Sequence, residues 1–558
     1  MTPMEEKTNP GKDAVMDKES EDAPAAPTEN RGPSIITTAD RGVVQEPDVE
    51  YGVYEPNEDG LAVAVAVTEE DDDVFIPSAV EYDPDAKPPL HRNRRFRLYG
   101  FLAFFALMAC AVGATIGIVL GGKGDSASEI ELHPREQLGI RDLVTRLVGE
   151  EQVNRYNSPY KKAIDWIIYE DPHQLTPDDD RFVQRLIMAY FFYATSVDMP
   201  WKSCNPPNTT LEESSSCFFE KLFSLRPPRY SPEQAVRWLS GTHECEWVGV
   251  QCDRAMQVRS INLAGQEMTG PFPDGIVHLP LLQSITVPLN KWRGSIPSEM
   301  ATMKHLVNFE VHFNELSGNI PEEIWDMKNL IRLNVGGNKM TGSLSTKIGN
   351  LRDLKGIFVY GNQITGKIPT EVGKLASLTY FRVSENLMTG KIPTELSELK
   401  ALEEIWISDN NLSGELPSNF FELPNLRDVR MRRNPLLTGR WPDSFWDIDV
   451  MSYVDIRQTN FTGSISEKIG NMSTLINFRI ANTRFTGPIP TVVAQLPLQS
   501  LWVQNTDMTG DVPTEICEAQ DFIKFKDLVA DCLGDTPDQP CACCTGCCSE
   551  EGGCLTLE

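Results

Sequence analysis

LIRLNVGGNKMTGSLSTKIGN, residues Leu330–Asn350, decides the fold, because LKGIFVYGNQITGKIPTEVG, Leu354–Gly373, repeats it 24 residues later. The phrase recurs from about Val258 to Glu515, marked by Gly270, Gly294, Gly318, Gly342, Gly366, Gly390, Gly414, Gly439, Gly463, Gly487 and Gly510. The spacing is 24 residues throughout, except for one interval of 25 and a last one of 23. Self-similarity at so fixed a period specifies a stacked solenoid: one unit cannot bury its apolar face alone, and its neighbours bury it.

Inside each unit an apolar pair alternates on a short strand: Phe309/Val311, Leu333/Val335, Ile357/Val359, Phe381/Val383 and Ile405/Ile407. Period two sends these side chains to one side, the core, and their neighbours to the other. Asn290, Asn314, Asn338, Asn362, Asn386 and Asn410 follow the strand in register, where an amide can bond turn carbonyls of adjacent units. Thr459, Thr483 and Thr506 hold that column later, so the ladder is expected to change there. The Gly and Pro that follow shape the turn.

The T/S-G-x-I-P portion resembles the plant-specific subclass of leucine-rich repeats. Just before the first unit, Cys245-Glu-Trp-Val-Gly-Val-Gln-Cys252 resembles the N-terminal cap of plant-type extracellular proteins of that family. The end modules, the region before them and a CxCCxxCC tail resemble the membrane-anchored leucine-rich-repeat proteins of diatoms. The resemblance implies an α/β solenoid, a right-handed superhelix of about 11 repeats of 24 residues. It also implies a helical and disulfide-bonded N-terminal cap and a Cys-rich C-terminal cap. None of the 13 cysteines precedes Cys110 and none lies between Cys252 and Cys517. Cys204, Cys217, Cys245 and Cys252 at one end, and Cys517, Cys532, Cys541, Cys543, Cys544, Cys547, Cys548 and Cys554 at the other, read as disulfide modules of an oxidising compartment. Their connectivity is open at this level. Thiolate metal binding by the tail is the competing reading, disfavoured because no histidine lies nearby.

The formal net charge is −29. Residues 1–90 carry 23 acidic against 6 basic side chains and few aromatics, the composition of a disordered tail. Nucleic-acid binding, which needs a basic surface, is excluded. After a basic stretch at 91–97, residues 98–120 contain no charge. They would span roughly 34 Å as a helix, enough for a hydrocarbon core. Arg92, Arg94, Arg95 and Arg97 place the N-terminus in the cytosol and the repeats outside, as in a single-pass type II protein of the plasma membrane with an uncleaved signal-anchor. Residues 129–203 show helical spacing at Ile140, Leu143 and Leu147, at Ala163, Ile164, Ile167 and Ile168, and at Phe182, Leu186, Ile187, Tyr190 and Phe191. Thr176-Pro177-Asp178 is the expected start of the last helix. Tyr190–Tyr193 is expected to be packing. The cap then covers 204–257, the repeats 258–516 and the Cys-rich cap 517–558.

Stacking puts all the strands in one parallel sheet on the concave side, so outward residues can be named. Units five to eleven supply Phe358, Tyr360, Tyr380, Arg382, Trp406, Arg430, Arg432, Arg433, Tyr453, Arg457, Arg479 and Trp502, with Glu404, Asp409, Asp428 and Asp455 among them. Aromatics interleaved with arginine make binding hot spots, and these residues are the expected ligand site. The bland alternative is that strands favour aromatics anyway and that each arginine pairs with a neighbouring acid. Asn208, Asn411, Asn460 and Asn471 begin glycosylation sequons, none on an outward strand position.

The expected function is therefore cell-surface recognition of a protein, peptide or glycan ligand by a receptor-like protein without a kinase domain, since the glycine-rich loop, HRD and DFG motifs are absent from the sequence. An adhesive or structural role and hydrolase inhibition are the alternatives. The 7 scattered histidines, without HExxH or GxSxG, nominate no catalytic residue, metal or cofactor. The expected partners are the extracellular ligand, the membrane, and a co-receptor or cytosolic adaptor.

Overall fold

The structure is a computed structural model that describes residues 133–203, 205, 216–217, 235–518, 526–532, 541–548 and 554–556. The acidic tail, the basic stretch and the 98–120 segment lie outside these residues, as do Cys204 and Asn208 and the side chains of Cys217 and Cys554. Among the described residues no helix is long and apolar enough to cross a membrane.

Each turn of the solenoid has three sides. The alternating apolar pair forms one rung of a 15-stranded sheet, in register from Val258–Asn262 through Ser284–Thr286, Asn308–Glu310 and onward to Ser500–Trp502. Its pairings are parallel except at the two ends, where Val250–Cys252 and Cys554–Thr556 pair antiparallel. Phe309, Val311, Leu333, Val335, Ile357, Val359, Phe381, Val383, Ile405 and Ile407 are at most 1% exposed, so the alternation reads the core correctly. The chain then turns into a side strand at the Gly position, and these strands form two side sheets, of four and of seven strands. Gly342 adopts φ +83 there, and a Cβ would come within 2.5 Å of the Asn319 side chain. The Pro that follows is the N-cap of a short 3-10 helix, as at Pro369 before Thr370–Lys374. Its fixed φ suits that position. Where Ser345 and Ser466 replace it, their hydroxyls accept the Lys347 and Lys468 backbone N–H instead.

The asparagine column closes each turn. Asn338 accepts the Leu316 N–H and donates to the carbonyls of Val335 and Gly336 in its own turn and of Val311 in the preceding one. The ladder extends one step beyond the six asparagines expected from sequence. Asn434 is fully buried and makes the same bonds, to Ile407, Met431 and Arg432. Thr459, Thr483 and Thr506 then donate only to Ile456, Ile480 and Val503, within their own turns.

Among the described residues four α-helices precede the cap: α1 (Ile140–Val148), α2 (Glu150–Asn154), α3 (Pro159–Tyr169) and α4 (Phe182–Thr195). The last begins six residues after the expected Thr176, because turns closed by Asp179 N–H to Thr176 and Phe182 N–H to Asp179 carry the chain first. The Tyr190–Tyr193 aromatics are packing, with Phe191 fully buried against Trp201, Trp238 and Trp292. Arg185, also fully buried, forks onto Asp171 at 2.7 Å and Glu244 at 3.1 Å between the rings of Trp166 and Trp247. Tyr190 donates to Asp274 in the first repeat. These contacts fuse helices, cap and solenoid into one unit.

The caps are disulfide-bonded. Cys245 pairs with Cys252, Cys517 with Cys543, Cys532 with Cys547 and Cys541 with Cys544. Cys548, also disulfide-bonded, lies opposite Cys554 in the last strand pair. The C-terminal cap adds its own rungs, Asp527–Ala530, Gly546–Cys548 and Cys554–Thr556, to the long sheet and so covers its final apolar edge.

Candidate functional site on the open face of the long sheet

Three outward columns run along the long sheet, one residue of each per turn. Arg332, Tyr380, Glu404, Asp428 and Tyr453 belong to the first. The second holds Phe358, Arg382, Trp406, Arg430, Asp455, Arg479 and Trp502. Tyr360, Arg432 and Arg457 lie two residues further on, past the strand ends. A spacing of ~4.8 Å between strands brings each column into side-chain contact.

The contacts form one continuous stack. The Arg332 guanidinium lies 4.5 Å from the Phe358 ring centroid, and Arg382 lies 5.4 Å from it on the next turn. Arg382 and Arg430 enclose Trp406 at 3.6 and 4.0 Å. Arg430 then covers Tyr453 at 4.0 Å, with Arg479 at 5.5 Å from the same ring. Trp502 ends the series, with Arg457 at 4.3 Å and Arg479 at 5.1 Å. Tyr380 stacks on Phe358 with centroids 6.1 Å apart. Tyr360 fits because Gly336 has no side chain; a Cβ there would approach its ring to 2.6 Å.

Carboxylates hold the arginines. Asp428 accepts from Nε and Nη2 of Arg430, the latter at 2.9 Å, and Asp455 grips Arg457 the same way at 2.8 and 2.7 Å. Glu404 accepts from Nε and Nη2 of Arg382. Asp409 serves Arg432 and Arg433 at 3.4 and 3.2 Å. Arg479 donates to Ser500 and Tyr453 and lies 3.9 Å from Asp527. Burial opposes the charge on Arg430 and Arg457, yet Asp428 and Asp455 more than offset it, and both guanidinium pKa values rise. Burial also pushes Asp428 up, against the pull of Arg430. Glu385 is raised by burial and by Asp409.

Two expectations need correction. Phe358 faces outward by register but is only 2% exposed, because Arg332, Arg382 and Tyr380 cover it. Asp428 and Asp455 are likewise buried at 8% and 2%, beneath the guanidiniums they bind. The pairing of arginine with neighbouring acid, the bland alternative, is thus present throughout, and it coexists with the stack. Sequence reading also missed Arg332. It opens the stack from a turn that looked plain, and its place in the column of Tyr380 and Glu404, a multiple of 24 residues away, was the available signal.

The described sequon residues, Asn411, Asn460 and Asn471, lie off this face. Asn411 and Asn460 begin strands of the seven-stranded side sheet, and Asn471 ends a 3-10 helix. Asn411 and Asn471 are exposed, whereas the Asn460 amide donates to the Pro435 carbonyl. Among the described residues no cluster of three or more His, Cys, Asp or Glu could hold a metal ion.

Comparison with known proteins gives the architecture its name. The Leucine Rich Repeat family profile matches residues 401–423, one turn of the series. The chain folds as a leucine-rich-repeat solenoid. It is 29% identical over 92 residues to receptor-like protein kinase 5 of Arabidopsis thaliana, a match spanning 16% of this chain and 9% of that protein. The ectodomain of the Arabidopsis receptor kinase HAESA, in complex with an extended IDA peptide hormone, is 26% identical with TM-score 0.46, covering 50% of this leucine-rich-repeat chain and 51% of that one. A plant ice-binding protein is 22% identical with TM-score 0.42, covering 55% and 91%.

Proposed function

We propose that this chain is a cell-surface recognition protein, anchored by residues 98–120 with the repeats outside, whose open sheet face binds a protein, peptide or glycan ligand. The observation that carries the reading is the continuous arginine–aromatic stack from Arg332 to Trp502. Planar side chains locked by packing and ion pairs lose little entropy on binding, which is the property of an interface hot spot. The match to a receptor-like kinase supports this reading for the repeats. A kinase activity is not proposed, and a response inside the cell would pass through a co-receptor or an adaptor on the acidic tail. The uncharged segment and its arginine-rich flank support the type II placement. Asn411, Asn460 and Asn471 would then carry glycans on the sides, leaving the stack open.

Crosslinking full-length protein on cells to its binders tests the reading. Trp406→Ala, which empties the slot between Arg382 and Arg430, is expected to abolish capture while surface delivery and glycosidase-sensitive mobility persist. Equal capture by this variant would remove the site. Deleting residues 1–90 separates signalling from adhesion: a receptor loses its response but keeps its ligand.

A further inference from the structure

The stack has two properties that a general recognition surface need not have. Its charges are already compensated, and guanidiniums already lie against the rings of Phe358, Trp406, Tyr453 and Trp502. We infer that its ligand is an uncharged peptide segment recognised through backbone carbonyls, and that polyanions are excluded. This deepens the proposed function and rests on it, since it presumes that the ligand seats on this face.

Charge comes first. A face built to recruit anions leaves guanidiniums waiting for them. Here Arg382, Arg430 and Arg457 each give Nε and Nη2 to a carboxylate of the same face. An incoming phosphate, sulfate or uronate could take the bidentate Nε and Nη2 edge only by displacing Asp428 or Asp455. That leaves a buried carboxylate without its partner, a cost that cancels the new ion pair. Rings come second. A sugar stacks on a free aromatic face, but guanidiniums occupy both sides of Trp406, at 3.6 and 4.0 Å, and two from the preceding turns lie against Trp502 at 4.3 and 5.1 Å.

What remains open is donor capacity. In Arg382, Arg430 and Arg457 the Nη1 group makes no hydrogen bond among the described residues. A guanidinium N–H whose charge is offset on its far edge is matched by a neutral acceptor, and the amide carbonyl is the strongest such acceptor in a protein ligand. These donors lie one or two turns apart, so a ligand must run along the solenoid to use more than one of them. An extended chain does that.

The test uses full-length protein on an array of random, end-blocked peptides, with polygalacturonate as polyanion and laminarin as neutral glycan competitor. Enriched peptides are expected to be poor in Asp and Glu and to bind with less than about a twofold change between roughly 50 and 500 mM NaCl, because no net charge is neutralised. Neither polysaccharide should compete. Enrichment of acidic peptides, or polygalacturonate competition that fades more than about tenfold with salt, would overturn the inference; competition by laminarin would make the face a glycan site. Binders that ignore Trp406→Ala sink the placement of the site itself, and with it the proposed function. Acidic binders lost in that variant sink only the present inference. The double substitution Asp428→Asn, Asp455→Asn keeps the side-chain volumes and is expected to create polygalacturonate binding absent from the parent; no gain would count against charge compensation as the reason for exclusion. The array on the unaltered protein decides the question even if the double variant fails to fold.

Discussion

The turns closed by Asn290 to Asn434 and those closed by Thr459 to Thr506 are built from the same phrase but tied to their neighbours differently. An asparagine rung spans two turns, as Asn362 does from Val359 and Tyr360 to Val335 and to the Met340 N–H. A threonine rung stays within one, as Thr483 does with Ile480. The lost tie is replaced from inside and outside. Trp441 fills the core where the two regions meet, with Phe421, Phe445 and Phe461 within 5.3 Å and Phe485 at 6.4 Å. On the open face, Arg457 reaches Trp502 and Arg479 reaches both Tyr453 and Trp502. A polar ladder and an aromatic zipper are therefore alternative solutions to the same stacking problem.

Removing the zipper should produce the largest change. Trp441→Ala is expected to cost about 4 kcal/mol, by emptying a large buried site, and to raise hydrogen exchange from Phe461 to Phe485 before the earlier turns. An asparagine rung comes next. Asn362→Ala should cost about 3 kcal/mol in denaturant melts, because three carbonyls and the Met340 N–H lose a buried partner. Equal costs for this change and Thr483→Val would erase the distinction between the regions.

A comparable effect confined to the asparagine region comes from pH. Burial, with Arg332 nearby, lowers His312 to about 4. The unfolded chain then binds a proton at pH 6.5 that the folded chain refuses until about pH 4, so the contribution is intact above 6.5 and lost as pH falls through that window. The loss approaches about 3 kcal/mol, and His312→Gln should flatten the stability profile over that range. An unchanged profile would mean that His312 is hydrated. The smallest effect is Thr483→Val, about 1 kcal/mol for one hydrogen bond with volume conserved.

Much of this was legible in the sequence because the repeat multiplies every local signal. Phe309 and Val311 point inward for the same reason as Ile405 and Ile407, and one period places both pairs. The change from asparagine to threonine at 459 was equally readable. Asn434 holds the same column, 24 residues after Asn410, inside a turn whose arginines mask the signal. The start of α4 was misplaced because Thr176-Pro177-Asp178 is a good capping signal that local turns, fixed by tertiary packing, put to another use. At the open face the sequence named the residues but not their state. Alternation reports which way Phe358 points, and nothing in it reports that Arg332 and Arg382 cover the ring.

The sequence by itself determined the solenoid, its register, its core and the membership of its outward columns, since each follows from a period and from the geometry of one strand. Only the tertiary structure decided that the arginines are neutralised, that the aromatic rings lie between them, and that Asp428 and Asp455 are buried beneath them. Those facts depend partly on side chains in neighbouring turns, as where Arg382 meets Glu404 and Arg479 meets Tyr453, and partly on which acid wins a guanidinium, as where Asp428 and Asp455 hold Arg430 and Arg457 two residues away. Periodicity fixes where a side chain starts; packing fixes what it touches.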